Sequence, residues 1–407
     1  MASDKGLSLL SYLRHINYLV GLLLLPGLSL AEPDTASCES LFCYSSKNDF
    51  FQFKNTSRLQ LDRGVFDNDS RTDFDNNWNV RRARLSSSAQ IGDHLSIDFT
   101  YDFSRDDRSA IRNAFIRYTS AEKTRFTIGH FKEPFGMERL TSVQDLAFLE
   151  RSLVSQLTPP RSLGVELHKH TLHWTAAAGM FTTGIKNDGN DTKFGTSARV
   201  TFAPQSKPGK ILHFGLGIAH RNTDGQHEVR FRQRPETRNT DIRLIDTQTF
   251  LADSYTYLGL ESAIARGTWA LQAEYIYSHL SKARINETES GENIHFSGWH
   301  IDLSWITSGE PQPYNHEKGT FGRLRPAHSV QHGGGGAWRL GVRLSELDLT
   351  DQPVTGGRQQ NLAAGVTWVL NLNISLSSEY VKVLKVDGGE YANASPAIFQ
   401  SRLQIIY

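Results

Sequence analysis

Arginine dominates the basic side chains of this chain of 407 residues, with 30 arginines against 14 lysines. A guanidinium group is planar, stays charged, and grips carboxylate or phosphate through two parallel hydrogen bonds. The segment Arg230-Phe231-Arg232-Gln233-Arg234, followed by Arg238, sets three arginines two residues apart. In extended chain these share one face, with about 6–7 Å between successive members. Aimed into a water-filled passage, such a row hands an anion from one site to the next, and conduction favours several moderate sites over one deep trap. On a solvated loop the same row is an ordinary charged face, and the residues alone leave both readings open. A second cluster is Arg81-Arg82-Ala83-Arg84, with Arg58 and Arg112 in similar alternating segments. A third feature is the stretch 132–161. It carries Lys132-Glu133-Pro134-Phe135-Gly136-Met137-Glu138-Arg139, then Thr141, Ser142 and Glu150-Arg151.

Other chemistry is sparse. His168, His170 and His173 straddle a turn, but no thiol or carboxylate beside them completes a metal set. The chain has no Gly-x-Ser-x-Gly elbow, no phosphate-binding glycine loop ahead of a helix and no zinc-protease motif. No catalytic residue, metal or cofactor is therefore expected. An enzyme built on a membrane barrel stays open as an alternative.

The elements that must position the arginines read as strands from residue 50 to the end. Leu212, Phe214, Leu216 and Ile218 alternate with small or polar residues, as do Trp299, Ile301, Leu303 and Trp305. The alternation predicts strands at 50–62, 78–90, 94–104, 109–119, 124–131, 162–169, 172–182, 192–203, 211–221, 255–265, 268–280, 294–307, 336–347, 360–370, 373–385 and 396–407. That is an even number, and most match the ~9–11 residues that a tilted strand needs to cross a bilayer. Tight connections such as Gly92-Asp93, Arg266-Gly267 and Asn371-Leu372 alternate with long ones at 63–77, 132–161, 182–191, 222–254, 281–293, 348–359 and 386–395. Short turns on one rim and long loops on the other belong to outer-membrane barrels. One connection breaks the rule: 308–335 belongs to the short rim yet runs long. Phe399, Leu403, Ile405 and the final Tyr407 share one face, as in a closing strand. The predicted fold class is all-β, a transmembrane antiparallel β-barrel of sixteen strands. A secreted β-sandwich that binds acidic glycans is the alternative from another class. Arginine on the lipid face near the midplane costs ~2–4 kcal/mol, so the strand arginines should face the lumen or an interface.

Composition agrees with a barrel. Hydrophobic residues make up 38% and the formal charge is +1. Mean hydropathy is −0.42. Strands with one wet and one oily face average to a polar chain. Residues 1–31 fit a signal peptide, with Lys5 and Arg14 ahead of an apolar run and small residues at Ser29 and Ala31. An N-terminal membrane anchor is the other reading of that stretch. Removing it takes Lys5 and Arg14 from 44 bases and Asp4 from 43 acids, leaving 42 of each. Any anion preference must then come from where charges sit. A short segment, 32–49, holds Cys38 and Cys43, close enough for a small-loop disulfide in an oxidising compartment. The barrel domain is expected over 50–407.

The chain resembles the phosphate-selective porin O/P family of Gram-negative outer membranes across roughly residues 50–407. The resemblance rests on Arg58-Leu59-Gln60, Arg81-Arg82-Ala83, the run Phe131 to Leu153, Arg230-x-Arg-x-Arg, Thr307-x-Gly309-Glu310-Pro311, Phe321 through Arg325-Pro326, Gly336-Ala337-Trp338, and Gly365-Val366-Thr367-Trp368 to Tyr380-Val381-Lys382. It implies a trimeric barrel in outer-membrane lipid and lipopolysaccharide, with loop 132–161 folded inward and small anions, phosphate or polyphosphate, as the solute. No nucleic-acid partner is expected. It also implies an arginine ladder at Arg230, Arg232, Arg234 and Arg238, and a deeper set at Arg58, Arg81 and Arg82. The neck falls on Arg139, with Ser142 and Arg151 beside it. Two departures stand out. Arginine replaces the family's central lysine at Arg139, and Arg112 stands where selective members carry an acid. Both make the lumen more basic, and a weakly selective general porin is the alternative within channels.

Overall fold

The computed structural model describes residues 41–105, 110–182, 194–223, 225, 228–285 and 291–407. The expected signal peptide, Cys38 and most of the 32–49 segment lie outside the described residues.

Sixteen strands form the wall. They are β1 (Phe51–Asp67), β2 (Asn77–Ile91), β3 (Leu95–Asp102), β4 (Ile111–Thr119), β5 (Thr124–Lys132), β6 (Arg161–His170), β7 (Trp174–Phe181), β8 (Phe194–Lys207), β9 (Lys210–Asn222), β10 (Ser254–Arg266), β11 (Trp269–Ala283), β12 (Glu292–Ile306), β13 (Ala337–Asp351), β14 (Val354–Val369), β15 (Ile374–Asp387) and β16 (Ala397–Ile406). Each is hydrogen-bonded antiparallel to the next, and β1 pairs with β16 from Arg58↔Ile406 to Asp67↔Ala397, which closes the barrel. Closure leaves no barrel edge unpaired over that span. Below Arg58, β1 outruns β16, and there the short strand Phe42–Ser45 pairs with Gln52–Asn55 instead. Cys43 in that strand is disulfide-bonded.

Alternation decides which face each residue takes. On β9, Phe214, Leu216 and Ile218 point outward and are about half exposed, while His213 and Ala219 are fully buried inside. Trp269 stacks on Trp305 and Trp338 on Trp368, each pair directly cross-strand. These four indoles lie at the short-turn end of β11–β14, where an aromatic girdle meets the lipid interface.

Two expectations about connections need correction. The segment 348–359 was expected to be a long loop, but β13 and β14 continue through it and leave only Gln352 and Pro353 between them. Leu349 and Val354 are fully buried in the main apolar cluster with Leu244 and Ile245, so the inward loop between β9 and β10 props this hairpin. Likewise β1 runs to Asp67, beyond the expected residue 62. The odd long connection after β12 is real. It forms a small hairpin, Tyr314–Asn315 against Thr320–Phe321, at the short-turn rim.

Two long loops fold inside. Residues 133–160 leave β5 and touch the opposite wall: Phe148 stands over Gly341 of β13, and the Leu149 N–H donates to Glu379 of β15 at 2.7 Å. Residues 223–253 cross from β9 to β1 and β16, where Gln400 donates to the Glu236 carbonyl at 3.0 Å. Phe135, Phe148, Leu153, Val154, Leu157, Phe231 and Phe250 join wall residues of β9–β16 in one apolar cluster. Apolar packing therefore fills much of the lumen on that side, where a small cavity of about 50 Å³ remains, and a larger space opens on the side of β1–β8.

Candidate functional site

The open side is a cavity of about 1010 Å³, lined mainly by β1–β8 and by the inner surfaces of the loops after β5, β9 and β12. Strand parity puts the arginines there. On β4, Arg117 stands between outward Ile116 and Tyr118; on β5, Arg125 and Thr127 alternate with outward Phe126 and Ile128. On β1 and β2, Arg58 is the direct partner of Arg84, and Gln60 of Arg82. Nineteen arginine and lysine side chains line the cavity against five carboxylates.

Eight of the ten expected site residues meet at this cavity: Arg58, Arg81, Arg82, Arg139, Ser142, Arg151, Arg234 and Arg238. Arg230 and Arg232 are not among its lining residues. The run 230–234 was expected to be one extended face, but only Arg232–Gln233 is strand, paired with Ile245–Asp246. Arg230 is held bidentately by Asp246, at 2.8 and 2.6 Å, while Phe231 turns into the apolar cluster. Arg234 keeps its place on the cavity but pairs with Asp241.

The neck is built from the loop after β5. Lys132 donates to the Arg139 carbonyl at 2.7 Å, and Arg151 donates to the carbonyls of Glu138 at 3.0 Å and Thr141 at 2.8 Å. These two cations pin the turn Met137–Leu140 that carries Arg139. Phe135 seats the same loop on the wall. It lies over Gly217 and Gly259, which are cross-strand partners, and a Cβ there would come within 3.0 and 2.9 Å of its ring. Only glycine leaves that space. The Arg139 guanidinium makes no hydrogen bond or ion pair among the described residues, and its Nε is buried without a partner. Burial, with Arg151 nearby, lowers its pKa to about 10; burial and Arg81 do the same at Arg238.

Sequence reasoning missed several lining residues. Arg117, Arg125, Arg161 and Arg199 stand on inner positions, and parity against their apolar neighbours was the available signal. Lys132 was seen only as part of the loop, yet it is the lysine beside Arg139. The hairpin after β12 was unassigned; it turns its tip into the cavity, where Glu317 pairs with Arg125, and Arg199 donates to the carbonyls of Lys318 and Gly319 at 2.7 and 2.8 Å. Among the described residues, no group of three or more His, Cys, Asp and Glu side chains could hold a metal ion.

The family described as phosphate-selective porin O and P matches residues 53–407. Porin O of Pseudomonas aeruginosa is 26% identical over 381 residues, covering 82% of this chain and 83% of that protein. An uncharacterized Caulobacter vibrioides protein is 28% identical over 333 residues, covering 78% of this chain but 65% of its own length. Among solved structures, an anion-selective porin from Comamonas acidovorans superposes with a TM-score of 0.57 at 12% identity, over 88% of this chain and 100% of that one. The outer-membrane protein OmpT of Vibrio cholerae gives 0.56 at 11% identity, over 91% and 100%. Both structural likenesses speak to the fold alone. With a closed sixteen-stranded barrel and a family match over most of its length, the chain belongs to the phosphate-selective porin O and P family and is a porin of the outer membrane.

Proposed function

We propose that this porin passes small anions, phosphate or condensed phosphates, by passive diffusion along the arginine side of its lumen, as a homotrimer. The observation that carries the reading is charge sorting. The whole chain has 44 bases and 43 acids. The cavity has nineteen bases and five acids. A narrow passage with one sign of charge on low-dielectric walls concentrates the opposite ion. Arg234 and Arg238 would collect the ion, and Arg139 with Ser142 and Arg151 would hold it at the neck. Arg58, Arg81 and Arg82 would take it onward. The family description and the kinship with Porin O support phosphate as the solute.

Planar-bilayer recordings test this. The expected result is a chloride current with an anion-selective reversal potential, blocked by added phosphate. A cation-selective pore would overturn the proposal. The weakly selective alternative also rests on an observation: Glu150, Glu166 and Glu236 stand among the lining guanidinium groups and dilute their field. Chloride current without phosphate block would favour it.

A further inference from the structure

One carboxylate sits where an anion would. Glu150 lies on the inward loop between β5 and β6, lines the cavity, and is nine-tenths buried at its side chain. Three guanidinium groups surround it. Arg81 grips both oxygens, Nε to Oε1 at 2.6 Å and Nη2 to Oε2 at 2.8 Å. Arg402 donates to Oε1 at 2.8 Å, and Arg82 stands 3.8 Å from Oε2. This is the fork-to-oxyanion geometry that a phosphate oxygen pair would adopt. The three arginines are not equally committed. Arg402 is also held bidentately by Asp62, at 2.7 Å on each oxygen, so it is fixed to the wall. Among the described residues, Arg81 has no other side-chain partner, and Arg82 otherwise donates only to Gln60. The side chains that Glu150 occupies are thus the same ones that the anion needs.

We propose that Glu150 is a built-in counter-anion: it holds the fork of Arg81 until a passing anion takes it, and reclaims the fork when the anion leaves. It is a positioning residue that acts through Arg81 and Arg82. The proposal rests on the anion-channel reading above and adds its affinity control. An unpaired pair of arginines at this depth would bind an oxyanion tightly and release it slowly. Exchange with a tethered carboxylate lowers the net affinity, because the carboxylate's bonds must be broken first. That converts a deep trap into one of several moderate sites, which conduction requires.

The experiment is phosphate block of chloride current in planar bilayers, run on wild type, E150Q and E150D, each verified as folded by heat-modifiable migration. Neutralising Glu150 frees one charge-assisted pair, so E150Q should be blocked at a phosphate concentration about tenfold lower, or less. E150D keeps the charge but withdraws it by one methylene, so its block should shift the same way by about threefold. If E150Q does not fold, E150D alone decides. A purely structural Glu150 would lower the unfolding temperature of both variants and leave the block of the folded channels where wild type has it; that result overturns the proposal. A cation-selective wild type would instead fault the anion reading, so the two failures are distinguishable.

Discussion

Replacing Arg139 with alanine probes the neck most directly, because no side chain among the described residues pairs with that guanidinium group. The side-chain donors that hold residue 139 reach its backbone carbonyl, which stays in alanine: it still accepts from Lys132 at 2.7 Å and from Arg151 at 3.4 Å. The substitution should therefore leave the turn Met137–Leu140 standing and remove only the side chain. A hydrogen bond to a charged group contributes ~1.5–3 kcal/mol. At 1.4 kcal/mol per factor of ten, the phosphate concentration that halves chloride current should rise by roughly 10- to 150-fold. Arg139→Lys keeps the charge and loses the planar fork, so it should fall between the two. Arg230→Ala is the control, since Arg230 is bound to Asp246 and lies off the cavity; its block should stay within about twofold of wild type, the range in which a screened, exposed pair contributes little. The assay is single-channel recording on protein reconstituted in lipid, with heat-modifiable migration as the folding check. An Arg139→Ala channel that is folded and blocked at the wild-type concentration refutes the assignment of Arg139 to the neck.

Three further outcomes follow from the same packing. Gly259→Val should push Phe135 off its seat, since even a Cβ would lie 2.9 Å from the ring; a raised single-channel conductance is expected, and an unchanged one would mean that the loop is held without Phe135. Arg402→Ala strands Asp62 in a buried site with no counter-charge. Breaking such a pair costs ~3–5 kcal/mol, so the temperature of the heat-modifiable transition should fall clearly. Finally, pH acts through Glu150. Burial alone would raise its pKa, yet Arg81, Arg82 and Arg402 hold it well below the usual carboxylate range. The unfolded chain then binds the proton first as pH falls, so the stability from this group is present above ~4.3 and is lost below it. The transition temperature should drop between about pH 5 and pH 3 in wild type, the window over which such carboxylates titrate, and drop less in E150Q; parallel curves would exclude Glu150 as the source.

The barrel was legible because bilayer-crossing strands obey a strict rule. Inner and outer faces meet different solvents, so Phe214, Leu216 and Ile218 had to alternate with residues of another kind. Where strands leave the lipid, that rule lapses. Beyond Leu347 and Asp62 the outer face no longer needs to be apolar; the ends of β13 and β1 were placed too early, and the start of β14 too late. The site was legible in part for the same reason. Arg58, Arg82 and Arg84 stand on wall strands, where parity aims them. Arg230 stands on a loop, and its fate depends on Asp246, sixteen residues away in sequence, which no spacing rule reveals. The seat of Phe135 depends on Gly217 and Gly259 meeting across two strands, which only the register supplies. Lys132 was hidden by its own position at the end of β5, where strand parity gives way to the loop.

How a chain of balanced charge comes to have a basic cavity is a question of where its acids are held. The filled side of the lumen answers part of it. Glu138 and Asp302 both pair with Arg343, at 2.7 and 2.6 Å. Glu261 pairs with Arg199 at 2.6 Å, Asp62 with Arg402 at 2.7 Å, and Glu133 with Arg221. Such buried pairs are poor evidence of stability, because desolvation offsets their attraction. Their effect is geometric: each ties a carboxylate to the wall or to a loop anchor, where it cannot swing toward the open side. Gln144, on the same inward loop, reaches Arg58 from the cavity side as a neutral amide and so leaves that charge in force. The acids that remain on the cavity are few and individually placed, and Glu150 is the one enclosed by guanidinium groups on three sides. These five carboxylates take up four arginines, one of which, Arg199, also lines the cavity, so pairing keeps those acids out of the open half without by itself making that half basic. The excess comes from the arginines that parity sets on β1–β8, which face few carboxylates across the cavity.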